Sequence, residues 1–199
     1  QTVTLATALI LTFATQVGAE CGKLCDRNWW KTATAVGVQA ELDADVDVMA
    51  RGKWGLTPLH FAAEVSNLAN IRVLLDAGAD VMARGEGGAT PLHQAAYGAP
   101  ATIQALLAAG ADVMARDVKG NIPLHFAALS LRVANVQALL TAGSDVMARN
   151  EYGQTPLHSA THWKNTVVIQ ALLAAGAKVS ARDQKGDTPL HNAAKFADA

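Results

Sequence analysis

The chain has 199 residues, with 16 Lys and Arg against 17 Asp and Glu and a formal charge of −1, a balance that excludes a basic nucleic-acid binder and an acidic tail protein. Apolar residues make up 51% and aromatics only 5%. That leaves ample surface to bury, which excludes a disordered polymer, and the excess of Ala, Leu and Val favours small, closely packed helices. Two cysteines exclude a disulfide-dense scaffold and a four-cysteine zinc site.

In chain order, residues 1–19 carry no ionisable side chain, and Leu5 to Ala14 is a nearly continuous apolar run ending in Val17-Gly18-Ala19. Small residues behind an apolar stretch predict a secretory signal peptide cleaved after Ala19. An uncleaved membrane anchor is the alternative; the run spans about ten strongly apolar positions, where a spanning helix needs ~20. Cleavage would place the mature chain in a periplasm or outside the cell. The chain begins with Gln and has no positive stretch before the apolar run, so the signal is expected to be cut at its start. Cys21 and Cys25 follow in Cys-Gly-Lys-Leu-Cys, and in an oxidising compartment the pair is expected to close a short disulfide loop.

Residues 20–50 read as a degenerate first unit that caps the fold. Trp29 and Trp30 stand where later units carry Pro-Leu-His, the segment to Val38 is about one turn short, and the two indoles are expected to cover the unit that follows.

From residue 51 to 199 the sequence repeats. Thr57-Pro58-Leu59-His60 recurs at Thr90, at Ile122 (with Ile for Thr), at Thr155 and at Thr188, with steps of 33, 32, 33 and 33 between prolines. Val-Met-Ala-Arg ends at Arg51, Arg84, Arg116 and Arg149, with Val-Ser-Ala-Arg ending at Arg182. Each unit explains itself. Thr57 serves as an N-cap and Pro58 opens the helix where its missing N–H costs nothing. Leu59, Ala62 and Ala63 give a short apolar helix, Ile71, Leu74 and Leu75 a second, and Gly78 stops it in a left-handed conformation. A polar turn from Asp80 to Gly88 leads into the next unit. The 32-residue step falls at Tyr97-Gly98-Ala99-Pro100, where Pro100 is expected to start the second helix. Neither helix can bury its apolar face alone, so neighbours must stack. The chain stops one helix into its last unit, which is expected to be cut there.

With Thr-Pro-Leu-His-x-Ala at a period near 33, the sequence resembles the ankyrin repeat family. The resemblance implies an all-α repeat fold, a solenoid of helix-turn-helix units with β-hairpin-like loops. It also implies that His60, His93, His125, His158 and His191 each bridge their own Thr to the adjoining unit's backbone. Met49, Met82, Met114 and Met147 occupy a slot where the family carries an Asn that ties successive loops by hydrogen bonds. Because Met cannot donate such bonds, the loops are expected to be held by packing. The arginine ladder admits two readings, an acidic partner or pairing with Asp and nearby carbonyls.

No Gly-x-Ser-x-Gly, His-Glu-x-x-His or glycine-rich phosphate loop is present, so neither catalysis nor a cofactor or metal is expected. His158 and His162, four apart, leave a metal-dependent hydrolase as an alternative. The resemblance implies binding of another protein, rather than nucleic acid or a small-molecule substrate, on a concave face of loop tips and first helices. A membrane contact follows only if residues 1–19 are retained, which would make the chain a tethered scaffold. Within the face, Trp54, Tyr97, Tyr152 and Trp163 are the expected anchors, because Trp and Tyr dominate binding hot spots. Lys53, Glu64, Lys119, Glu151, His162 and Lys185 complete the set.

Overall fold

A computed structural model describes residues 21–162 and 165–195; residues 1–19 and Trp163 lie outside them. The described residues form eleven α-helices and no strand. The first unit contributes α1 (Arg27–Trp30) and α2 (Ala35–Asp43). Then come α3 (Pro58–Val65) and α4 (Leu68–Asp76), α5 (Pro91–Ala95) and α6 (Pro100–Ala108), and α7 (Pro123–Leu129) and α8 (Val133–Thr141). The last are α9 (Pro156–His162), α10 (Thr166–Ala174) and α11 (Pro189–Lys195).

Odd-numbered helices stack on each other in one row and even-numbered helices in a second. The core runs between the rows. Leu59, Leu92, Leu124 and Leu157 fill it from the first helices, and Ile71, Leu74, Ile103, Leu106, Val136 and Leu139 from the second, all at most 1% exposed. Each such side chain contributes about 1.5–3 kcal/mol by leaving water. Ala62, Ala63, Ala95, Ala96, Ala127 and Ala128 are wholly buried and let the first helices approach closely. Gly78, Gly110, Gly143 and Gly176 end the second helices with φ between +89° and +96°, a conformation that Cβ-bearing residues rarely adopt. Pro100 opens α6 as the sequence predicts, and the shortened link before it folds against Ser66, whose hydroxyl accepts a hydrogen bond from the Ala99 N–H at 2.8 Å.

The first unit closes the near end of both rows. Trp30 is buried and donates its indole N–H to the Leu24 carbonyl at 2.8 Å, while Leu24 itself is wholly buried. Trp29 is half-buried and meets Trp30 edge-on, with ring centroids 5.1 Å apart. Cys21 and Cys25 face one another with Cα atoms 5.3 Å apart, a separation suited to a bridge.

The loops correct one expectation. They are tied by hydrogen bonds as well as by packing, and methionine takes part as an acceptor. The Asp80 N–H donates to Met49 Sδ at 3.2 Å, and Asp112, Asp145 and Lys178 donate likewise to Met82, Met114 and Met147, each at 3.3 Å. Sequence reasoning considered only what Met can donate; its sulfur is a weak acceptor. Main-chain bonds then join loop to loop, Glu86 N–H to the Trp54 carbonyl, Glu151 to Lys119 and Gln184 to Tyr152, each at 2.9 Å. Glycine is required at this crossing. A Cβ on Gly88 (φ +70°) would lie 2.9 Å from the Val118 nitrogen, and one on Gly153 (φ +73°) 3.0 Å from the Gln184 nitrogen.

The arginine ladder pairs with carbonyls. Arg51 donates to its own loop at Gly55 (2.9 Å) and to the next unit at the Arg84 carbonyl (2.7 Å). Arg84 repeats this with Gly88 and Arg116, and Arg116 with Gly120 and Arg149. Arg182 donates only within its own loop, to Gly186. Hydrogen bonds from a charged donor are worth about 1.5–3 kcal/mol, less where solvent reaches them. Replacing Arg116 with Ala should therefore cost about 1–2 kcal/mol of stability, and Arg182→Ala clearly less. Urea denaturation of both variants checks this, and equal losses would refute the inter-unit role.

Candidate functional site

Side chains on the inner row are positioned by a histidine clamp. The Thr57 N–H and hydroxyl both lie within hydrogen-bond distance of His60 Nδ1, at 3.1 and 2.8 Å. Because the N–H can only donate, Nδ1 must accept, which fixes the tautomer and leaves the Nε2 proton to donate to the Ala89 carbonyl of the next unit at 3.0 Å. His93, His125 and His158 do the same to Asn121, Gln154 and Asp187. At the third clamp Ile122 has no hydroxyl, and its backbone N–H alone reaches His125 Nδ1, at 3.3 Å. The structure thus places these four histidines in the bridging role that the resemblance implies, whereas His191 meets its own Thr188 and, among the described residues, bridges to no further unit.

The clamp is neutral. Burial pushes the His60 and His125 rings from the usual 6.5 down to about 4 and lowers His93 and His158 as well; the carbonyl bonds oppose this only in part. An unfolded chain binds these protons at higher pH than the folded one, so stability falls as the pH is lowered. The loss begins near 6.5 and runs down towards about 4. At pH 5 each of the two most shifted rings should cost roughly 2 kcal/mol relative to neutral pH. Thermal denaturation at pH 7 and pH 5 measures it; an unchanged midpoint would contradict the buried neutral clamp.

The metal alternative finds no support in His158, since both of its ring nitrogens are engaged by Thr155 and the Asp187 carbonyl. Among the described residues, no group of three or more His, Cys, Asp or Glu side chains could hold an ion.

Of the expected anchors, Trp54, Tyr97 and Tyr152 lie on the loop-and-first-helix side, spread along it rather than gathered. Trp54 is 56% exposed at the first loop tip, held at φ +60°, with the Lys53 ammonium 4.4 Å above its ring, a cation–π contact. Tyr97 is 43% exposed at the end of the third unit's first helix, and its ring lies 5.7 Å from that of Phe126. Tyr152 is 51% exposed at the fourth loop tip of the ladder, three rungs from Trp54. Glu64 is engaged by the Arg27 guanidinium through both carboxylate oxygens, so its charge is already neutralised. Lys119, Glu151 and Lys185 are exposed at loop tips, and His162 is exposed at the end of α9.

Sequence reasoning missed Phe126. It sits one residue after the clamp histidine, half-buried between Tyr97 and the His93 ring, whose centroid is 5.1 Å away. The signal was its slot in the repeat, occupied in turn by Phe61, Gln94, Phe126, Ser159 and Asn192. Also missed were the asparagines that tie the outer row. Asn70 and Asn67 both donate to the Ala33 carbonyl, and Asn135 to Ala96 and Gly98.

The family model for ankyrin repeats (3 copies) matches residues 32–117, 86–150 and 124–198. The chain belongs to the ankyrin repeat family. Comparison with curated proteins gives no match. The solenoid is therefore an ankyrin stack, and ankyrin repeats are generally protein–protein interaction modules, typically without enzymatic activity. In this ankyrin stack the five-rung loop ladder and the histidine clamps tie the inner side of each unit to the next.

Proposed function

We propose that this ankyrin stack is a non-catalytic module that binds another protein through the concave face of loop tips and first helices. The observation that carries the reading is the exposure of Trp54, Tyr97 and Tyr152 on that face in a chain with few aromatics. Exposed rings gain little from folding, whereas rigid aromatic anchors are favoured in binding hot spots. Lys53, Lys119, Glu151 and Lys185 stand at the rim and Glu64 and His162 on the helix side; Trp163 belongs to the same series by its place in the repeat. Affinity capture with the wild-type chain beside a Trp54→Ala/Tyr152→Ala variant of equal thermal stability tests it. Loss of the captured partner is expected, by roughly tenfold or more, and equal recovery would remove the aromatic face as the binding surface.

The segment of residues 1–19 supports export, with cleavage after Ala19, oxidation of Cys21 and Cys25 to a bridge, and a periplasmic or secreted mature chain. None of the described helices is long and apolar enough to cross a membrane. Mass spectrometry of the protein recovered from its source should find Glu20 as the first residue. Recovery of residues 1–19 on the chain would favour the tethered scaffold instead.

A further inference from the structure

All four methionines of the chain occupy one slot of the repeat, as Met49, Met82, Met114 and Met147. None is a buried core residue, although filling gaps in a core is the ordinary use of this flexible side chain. The fifth loop carries Ser180 in the same slot. Each methionine is partly exposed. Each sulfur sits 3.2–3.3 Å from a backbone nitrogen of the next unit, in a bond at the solvent-exposed surface of the loops.

These bonds form a relay. Asp80 gives its N–H to Met49 Sδ and accepts the Met82 N–H on its carboxylate at 2.8 Å. Met82 Sδ then accepts the Asp112 N–H, and the Asp112 carboxylate accepts the Met114 N–H. Asp145 links Met114 to Met147 in the same way, and Lys178, which has no carboxylate, ends the series. Each sulfur therefore anchors the turn that positions the next sulfur. A thioether is also oxidised readily, to a polar, chiral sulfoxide that reductases return to methionine.

We propose that the four ladder methionines are sites of reversible oxidation, at which hydrogen peroxide loosens the loop ladder while the histidine and arginine joints keep the units stacked. A sulfur lone pair attacks one peroxide oxygen, and the S–O bond forms as the O–O bond breaks. The second oxygen leaves as hydroxide, takes the proton of the transferred oxygen and departs as water. Sulfur is thereby oxidised by two electrons and the peroxide reduced by two. An N–H···O bond alone spans about 2.7–3.2 Å, so no oxygen fits between a sulfur and a nitrogen 3.2–3.3 Å apart. Either the loops part to admit it, or the oxygen turns to solvent and leaves the N–H against an electron-poor sulfur. Both loosen the turns at Asp80, Asp112 and Asp145. The His60 and Arg51 bonds run to other groups, the Ala89 and Arg84 carbonyls, and involve no sulfur.

The full chain is treated with hydrogen peroxide, quenched with catalase and mapped by peptide mass spectrometry. Each methionine should gain one oxygen, and the thermal midpoint should fall by about 4–8 °C. Methionine sulfoxide reductases specific for the two epimers should together restore it. In nuclear magnetic resonance spectra the amide protons of Asp80, Asp112, Asp145 and Lys178 should shift, with those of Thr57 and Thr90 at the clamps unmoved. A Met49→Leu/Met82→Leu/Met114→Leu/Met147→Leu variant keeps the side-chain volume nearly constant, and its midpoint should not respond to peroxide. That separates the ladder from oxidation of the tryptophans. Should four substitutions impair folding, Met114→Leu alone should reduce the peroxide-induced fall by about a quarter. An oxidised chain with an unchanged midpoint, no recovery on reduction, an equal fall in the leucine variants, or clamp amides that shift as much as the loop amides would overturn the proposal. So would methionines that resist peroxide at a dose that oxidises free methionine.

Discussion

What holds this molecule together is a side-chain donor in one unit meeting a main-chain carbonyl in its neighbour. His60 reaches the Ala89 carbonyl, Arg51 the Arg84 carbonyl and Asn70 the Ala33 carbonyl. No helix pair here has a hydrophobic core of its own, so these bonds act together with the leucine and alanine contacts between rows, and stability is a sum over joints. Burial makes the bonds matter. His60, Asn70 and Asn135 are wholly buried, and removing a buried partner strands a polar group at a cost of about 1–3 kcal/mol.

Because the acceptor is main chain, a joint demands little of the neighbour's side chains. The clamp needs a carbonyl at Ala89, Asn121, Gln154 and Asp187, and four different side chains occupy those positions. Assembly is thereby separated from surface chemistry. The same slots that give up their carbonyls to the stack present Ala, Asn, Gln and Asp to the inner face, and the face varies from unit to unit while the joints stay constant.

Much of the architecture was legible in the sequence because the joints repeat. The prolines marked the helix starts, the glycines after each second helix marked the stops, and the spacing of the histidines placed them one to a unit. The harder features were those that depend on what a repeated residue meets. Nothing in Val-Met-Ala-Arg says that the methionine sulfur will accept an N–H from the unit ahead, since that requires knowing how far successive loops are offset. Asn70 and Asn135 share one slot of the unit and Asn67 and Asn165 another, but each slot holds a different residue in the other units, Thr102 and Val168 in the first and Ala99 and Arg132 in the second, so no unbroken period drew attention to them. The contact of Tyr97 with Phe126, and of Arg27 with Glu64, crosses units and joins slots that look unrelated in one dimension. The face was therefore legible as a list of positions, while which of them meet across units needed the stack to bring the rows side by side.

The missing residue between α5 and α6 bears on how the chain finds its order. Arrays of near-identical units invite slipped pairing, in which one unit docks where its sequence neighbour belongs. Here the shortened link seats Gly98 so tightly that a Cβ there would lie against the Ser66 hydroxyl, which also takes the Ala99 N–H. The corresponding position of the following unit is Ser130, whose Cβ would collide with that hydroxyl. Ser66 and Gly98 thus act as a key and its notch, giving an otherwise monotonous array a single correct place from which to count.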